Sequence, residues 1–175
     1  MNSRRIPPLR VKRARCTPRP WLMGLGLAAA ALGVGPARAD GTTLAASAMP
    51  PLYRSECAAC HLAYPPGLLP AASWQRLLDN LPRHFGADAS LDATATLELS
   101  KWLQANAGTY KKVQRSPAAP PEDRITRSAW FTREHGEIAR DVWRRPAVAG
   151  AFNCSACHTQ TAQGRFSEHD VRIPK

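Results

Sequence analysis

Cys57-Ala58-Ala59-Cys60-His61 recurs as Cys154-Ser155-Ala156-Cys157-His158, and the fold has to be built around these two pentapeptides. Two thiols three residues apart lie on one side of a helical turn. Both can then form thioethers with the two vinyl groups of one porphyrin, with the following His beneath the iron. A single Cys-x-x-Cys says little, because redox dithiols and zinc ligand pairs share it. Two copies, each followed directly by His, read as two covalent haem c sites, with His61 and His158 as proximal ligands. The competing reading is one zinc site of four thiolates, which leaves both adjacent histidines unexplained. A disulfide within either motif would close a very small loop.

Upstream of the first motif lies a segment of another kind. Arg4, Arg5, Arg10, Lys12, Arg13, Arg15 and Arg19 form a basic region, Leu22 to Val34 is apolar, and Ala37-Arg38-Ala39 suits cleavage by a signal peptidase. Residues 1–39 therefore read as a signal peptide, and the alternative is an uncleaved anchor, for which the apolar run is short. Ser3-Arg4-Arg5 is followed by Pro7-Pro8 and is a chance likeness to a twin-arginine signal. The leader holds eight of the 24 basic residues and none of the 13 acids, which leaves 16 against 13 and a net charge of +3 instead of +11. Charge therefore gives no support to nucleic-acid binding. Cys16 leaves with the leader, so the two motifs use every remaining cysteine, as suits export to the periplasm, where c-type haem is attached.

From Asp40 onward 136 residues remain, enough for one compact domain or two very small ones. At that size the radius of gyration is about 14 Å, so two haems inside it lie close together. The pattern predicts a mainly α chain: a first haem domain at 40–108, a linker or surface crossing at 109–123, and a second haem domain at 124–175. In the first, Asp40–Ala48 is a lead-in of small residues. Pro50-Pro51 starts a helix running to Cys60, and Tyr64–Pro70 is a loop passing the proximal side, one of whose carbonyls is expected to accept from Nδ1 of His61. Trp74, Leu77, Leu78 and Leu81 mark a helix capped by Ser73 and ended by Pro82. A longer helix, capped by Ser90, runs from about Leu91 to Ala107 with Leu91, Ala95, Leu99, Trp102 and Leu103 buried and Gly108 as its stop. The second domain offers only short helices, at Trp130–Glu134, Ile138–Trp143 and the approach to Cys154, among irregular loops around its haem.

The sixth ligand of each iron decides the function. A Met raises the potential, an open position admits substrate, and a second His gives a low-potential carrier. Beyond the leader only Met49 remains, on the approach to the proximal side, so His/Met ligation at both irons is impossible. His84, His135 and His169 are left. His84 follows an apolar helix face and lies 23 residues after His61. His135 ends the aromatic run Ala129-Trp130-Phe131-Thr132-Arg133-Glu134-His135. These two are the expected distal ligands, with His169 as the alternative at the second iron and a crossed pairing, His84 with the second haem, also open. Arg144, Arg145, Arg165 and Arg172 are candidates to pair with haem propionates or to form a solvated basic face.

Four stretches, residues 57–70, 84–91, 130–135 and 171–174, resemble the small periplasmic dihaem cytochromes c of proteobacteria. Pro82, just before the expected ligand, departs from that family's pattern. The resemblance implies an N-terminal half similar to a class I cytochrome c, a more irregular C-terminal half, and two bis-His low-spin haems. It also implies electron-transfer partners, a small high-spin oxygen-binding haem protein and a membrane b-type cytochrome. The expected function is a monomeric electron carrier without substrate. The alternative is a small haem enzyme, a peroxidase or nitrogen-oxide reductase, or a gas-binding protein; each needs one open iron site.

Overall fold

The computed structural model describes residues 49–175, all within one compact unit, Arg38–Lys175. The expected signal peptide with Cys16, its expected cleavage site and the expected lead-in lie outside the described residues. No helix among those described is long and apolar enough to cross a membrane. They form five α-helices joined by 3-10 turns, with no strand and two isolated bridges, a mainly α chain as expected.

Helix α1 (Pro51–Cys57) starts where Pro50 and Pro51 set the backbone, and buries Tyr53. It ends earlier than expected. Ala58 leaves helical geometry, and its N–H closes the last turn on Arg54, so Cys60 and His61 follow on a turn. Helix α2 (Ala71–Asp79) begins at Pro70, whose carbonyl accepts from the N–H groups of Ser73 and Trp74. Ser73 is thus not the cap but a fully buried residue of the first turn. Pro82 does not simply end this helix. It lies in a 3-10 turn, Leu81–Arg83, whose end delivers His84.

Helix α3 (Ala93–Asn106) is capped by Asp92, whose carboxylate accepts from the N–H of Ala95 at 2.8 Å. Ser90, the expected cap, instead donates from both its N–H and its hydroxyl to Asp88. Gly108 stops the helix at φ +66° and donates to Leu69. Leu99 and Leu103 are 1% and 2% exposed and join Met49, Tyr53, Ala63, Leu69, Trp74 and Leu78 in a first core.

Residues 109–123 include a short helix. Helix α4 (Lys111–Arg115) crosses them and buries Val113 in a second core with Leu68, Trp130 and Phe131. Leu68 and Leu69 are adjacent in sequence yet belong to different cores. Leu68 ends, and Leu69 follows, a buried 3-10 turn, Pro66–Leu68, within the predicted loop. Helix α5 (Ala129–Glu134), capped by Ser128, is the one α-helix described beyond residue 124. Ile138–Trp143 forms no helix; only Val142–Arg144 makes a 3-10 turn, because Trp143 is drawn into packing against Phe131 and His135.

Candidate haem centres

The end of α1 and the turn before His84 meet at the first centre. The rings of His61 and His84 stand opposite each other, centroids 6.2 Å apart and planes 23° from parallel. Nδ1 of His61 lies 2.8 Å from the carbonyl oxygen of Leu62, which can only accept, so Nδ1 is the donor and Nε2 has no part in this bond. The acceptor is Leu62 and not a carbonyl of the 64–70 loop, because the chain turns directly after His61 and brings its own neighbour within reach. That loop contributes Tyr64 instead, whose ring stacks on His61 at 4.8 Å. His84 opens a tight turn that closes on Ala87, with Phe85 at φ +51° and Gly86 at φ +100°. The guanidinium of Arg124 sits over the Phe85 ring at 4.1 Å.

The second centre repeats the arrangement with other parts. His135 follows α5, and His158 follows a 3-10 turn, Cys154–Ala156; their rings lie 6.1 Å apart with planes 71° from parallel. The Nδ1–H of His135 donates to the Phe131 carbonyl at 3.0 Å, which again leaves Nε2 free. Phe131 stacks flat on His135 at 4.0 Å, Trp143 lies beside it, and Phe166 flanks His158 at 5.6 Å. His169 is exposed, and its ring packs on no other imidazole. The crossed pairing is not what the structure assembles: His84 faces His61, and His135 faces His158.

Electrostatics favour the neutral ring at His84 and His158. Burial, then His61 and Arg124, push His84 below its ordinary pKa. Burial and His135 do the same to His158, against Asp170. The Nδ1 atoms of His84 and His158 are buried without a partner, and among the described residues none of the four Nε2 atoms is hydrogen-bonded within the protein. Burial pushes the thiols of Cys57 and Cys154 up to about 11, the reverse of what a redox dithiol or a zinc thiolate needs. Among the described residues no three His, Cys, Asp or Glu side chains converge on a metal, so the four-thiolate zinc reading finds no cage.

Tyr64, within the expected loop 64–70, joins the centres. Its hydroxyl donates to the Phe152 carbonyl at 2.5 Å, two residues before Cys154, while its own carbonyl accepts from Tyr53 at 2.7 Å. Burial, with Cys154 nearby, pushes its pKa far up and keeps the phenol a donor. Of the four arginines considered for propionates, Arg145 bonds Pro174 and Asp141, Arg165 pairs with Asp170, Arg172 turns to Val171, and Arg144 is exposed.

Two cysteine pairs, each beside a facing pair of imidazoles, suit a haem c apiece, so the site is that of a two-centre c-type cytochrome. The comparisons agree. The family model for dihaem cytochrome c matches residues 53–166. DHC from Rhodobacter sphaeroides, a crystal structure, is 39% identical, with 67% of this chain and 97% of that one covered and a TM-score of 0.57. A further structure, of the diheme cytochrome c from Rhodobacter sphaeroides, is 38% identical, covering 68% and 98% at a TM-score of 0.59. The diheme cytochrome type c from Shewanella baltica is 37% identical, covering 72% and 95% at a TM-score of 0.61. No curated protein matches. The chain belongs to the dihaem cytochrome c family, and its cofactors are two covalently bound haem c groups.

Proposed function

We propose that this protein is a periplasmic electron carrier with two low-potential, bis-histidine haems and no substrate of its own. Cys57 and Cys60 hold the first haem and Cys154 and Cys157 the second; His61 and His84 ligate one iron, His158 and His135 the other. The observation that carries this reading is the pair of ring separations, 6.2 and 6.1 Å. A metal–imidazole bond is about 2 Å, and the ring centroid lies about 1.1 Å behind its nitrogen, so two imidazoles that held one iron between them would stand about 6.2 Å apart. Each haem supplies a one-electron couple at its iron, and two nitrogen ligands keep that couple low. The chain's part is to hold both imidazoles in place, so that reduction needs no change of ligand.

The leader and the cysteine usage support export to the periplasm. The division into 40–108, 109–123 and 124–175, one haem per half, belongs to the same proposal. So do the monomeric state and the redox partners that the resemblance implies, a small high-spin haem protein and a membrane b-type cytochrome.

Electron paramagnetic resonance of the oxidised protein tests the ligands. Near-parallel rings separate the two iron orbitals they overlap and give an ordinary rhombic low-spin signal. Crossed rings leave those orbitals nearly equal in energy and give one dominated by a single very large g value. One signal of each kind is expected, with no carbon monoxide bound after reduction. A high-spin signal, or a carbon monoxide complex at either haem of the native protein, refutes the carrier and favours an enzyme or gas-binding protein.

A further inference from the structure

The last residues of the chain run alongside the second pentapeptide. The N–H of Arg172 donates to the Cys157 carbonyl at 2.8 Å. The N–H and hydroxyl of Thr159 both donate to the Asp170 carbonyl, at 3.2 and 2.9 Å. His158 and Val171 thereby form an isolated antiparallel bridge, with a bond on either side of the histidine. Both ends of the segment are held by arginines. Arg165 pairs with the Asp170 carboxylate at 2.9 Å. Arg145 donates from Nη1 to the Pro174 carbonyl at 2.7 Å, while its Nη2 reaches Asp141 at 3.3 Å.

A metal-bound histidine is usually aimed by a hydrogen bond from its second ring nitrogen. His61 has one, to Leu62, whereas Nδ1 of His158 is buried with no partner. His158 also follows a single 3-10 turn and not a helix. Its aim must come from the backbone, and the backbone on both sides of it is tied to the C-terminal segment. Among the described residues, the bridges include no equivalent at His61. We propose that residues 170–174 form a positioning strap for His158, locked by Arg145 through the Pro174 carbonyl. This rests on His158 being the proximal ligand of the second haem.

The full-length holoprotein tests it. Arg172→Pro removes the one N–H that reaches Cys157; Arg172→Ala keeps that N–H and isolates the side chain. Arg145→Ala frees Pro174 without touching the bridge. Loss of one such bond should raise the fraction of a single haem that binds carbon monoxide, or goes high-spin, about fivefold. The redox couple of that haem should move while the other stays. Arg172→Ala should fall well short of Arg172→Pro, and Arg145→Lys should recover part of what Arg145→Ala loses. The strap is refuted if Arg172→Pro and Arg145→Ala leave both haems as in the native protein, disturb both alike, or if Arg172→Ala equals Arg172→Pro. Carbon monoxide binding by the native protein would instead refute bis-His ligation. The strap would then be read from the shift of one couple alone.

Discussion

Around His61 and His84 the chain supplies α1, α2 and α3, with a core in which Tyr53, Leu69, Leu99 and Leu103 are at most 2% exposed. Around His135 and His158 it supplies a six-residue helix and a series of single turns, and the apolar material is largely aromatic and laid directly on these histidines: Phe131, Trp143 and Phe166. The same pentapeptide can therefore be served in two ways. In the first half, helices pack on one another and present the proposed ligands from their ends. In the second, the proposed ligands are themselves part of the packing, so structure and cofactor are less separable there.

Removing one proposed distal ligand from each centre is the sharpest way to break that contrast. His84→Ala and His135→Ala should each turn one haem high-spin and open it to carbon monoxide, as absorption and paramagnetic resonance spectra will show. The costs in stability should differ. His135→Ala also strips the ring that lies flat on Phe131 at 4.0 Å, an aromatic contact of about 0.5–1.5 kcal/mol beyond its area. Its thermal midpoint should therefore fall further than that of His84→Ala. Equal losses would mean that the second centre does not depend on its ligands for packing.

How much of this was legible in the chain follows the same divide. The attachment motifs are local chemistry and could be read outright, and α2 and α3 carry a helical period over enough residues to be found. Their ends were less legible because caps compete: Asp88 captures Ser90, so Asp92 takes over at α3, and the Pro70 carbonyl displaces Ser73 at α2. The second half has no period to read. Val113 looks like one apolar residue in a basic, Pro-rich crossing, and only the tertiary contact with Leu68, Trp130 and Phe131 shows it to be core. The link through Tyr64 spans 88 residues, a separation that no local pattern encodes.

Between the two cores the chain passes close to itself, and Gly67 is the point of contact. A Cβ there would meet Oγ1 of Thr109 at 2.5 Å and the Tyr110 nitrogen at 3.1 Å, where the Tyr110 N–H already donates to the Gly67 carbonyl. Gly67→Ala should cost about 1–3 kcal/mol in chemical denaturation, the usual price of overpacking. If each half unfolds around its own core, the single transition should also broaden or split. An unchanged, single transition would show that the join at Gly67 gives.

Smaller effects are expected at the rim of the first centre. Phe85 is held at a positive φ beside His84, with Arg124 over its ring. Arg124→Ala should cost about 0.5–1 kcal/mol, an exposed cation–π contact, and shift the spectrum of the first haem only. A shift in the second haem would place Arg124 elsewhere in the electrostatics of the molecule.

The smallest expected effect is also the most specific in its pH dependence. Arg76 on α2 makes a two-pronged bond to Asp123, at 2.9 and 2.6 Å, tying the first core to the segment that leads into the second half. The bond to Arg76 holds the Asp123 carboxyl below its ordinary pKa, with burial opposing and Ser73 assisting. A depressed carboxyl contributes stability above its unfolded value, near 3.9, and loses that contribution as pH falls through the lower folded value. Asp123→Asn should therefore lower the thermal midpoint by at most a few degrees at neutral pH, and the gap from the native protein should close below about pH 4. Arg76 is half exposed, so solvent screens the pair and added salt should shrink the same gap. A gap that persists unchanged in acid would assign the loss to altered packing around Ser73, because the charge on Asp123 would then play no part in joining the two halves.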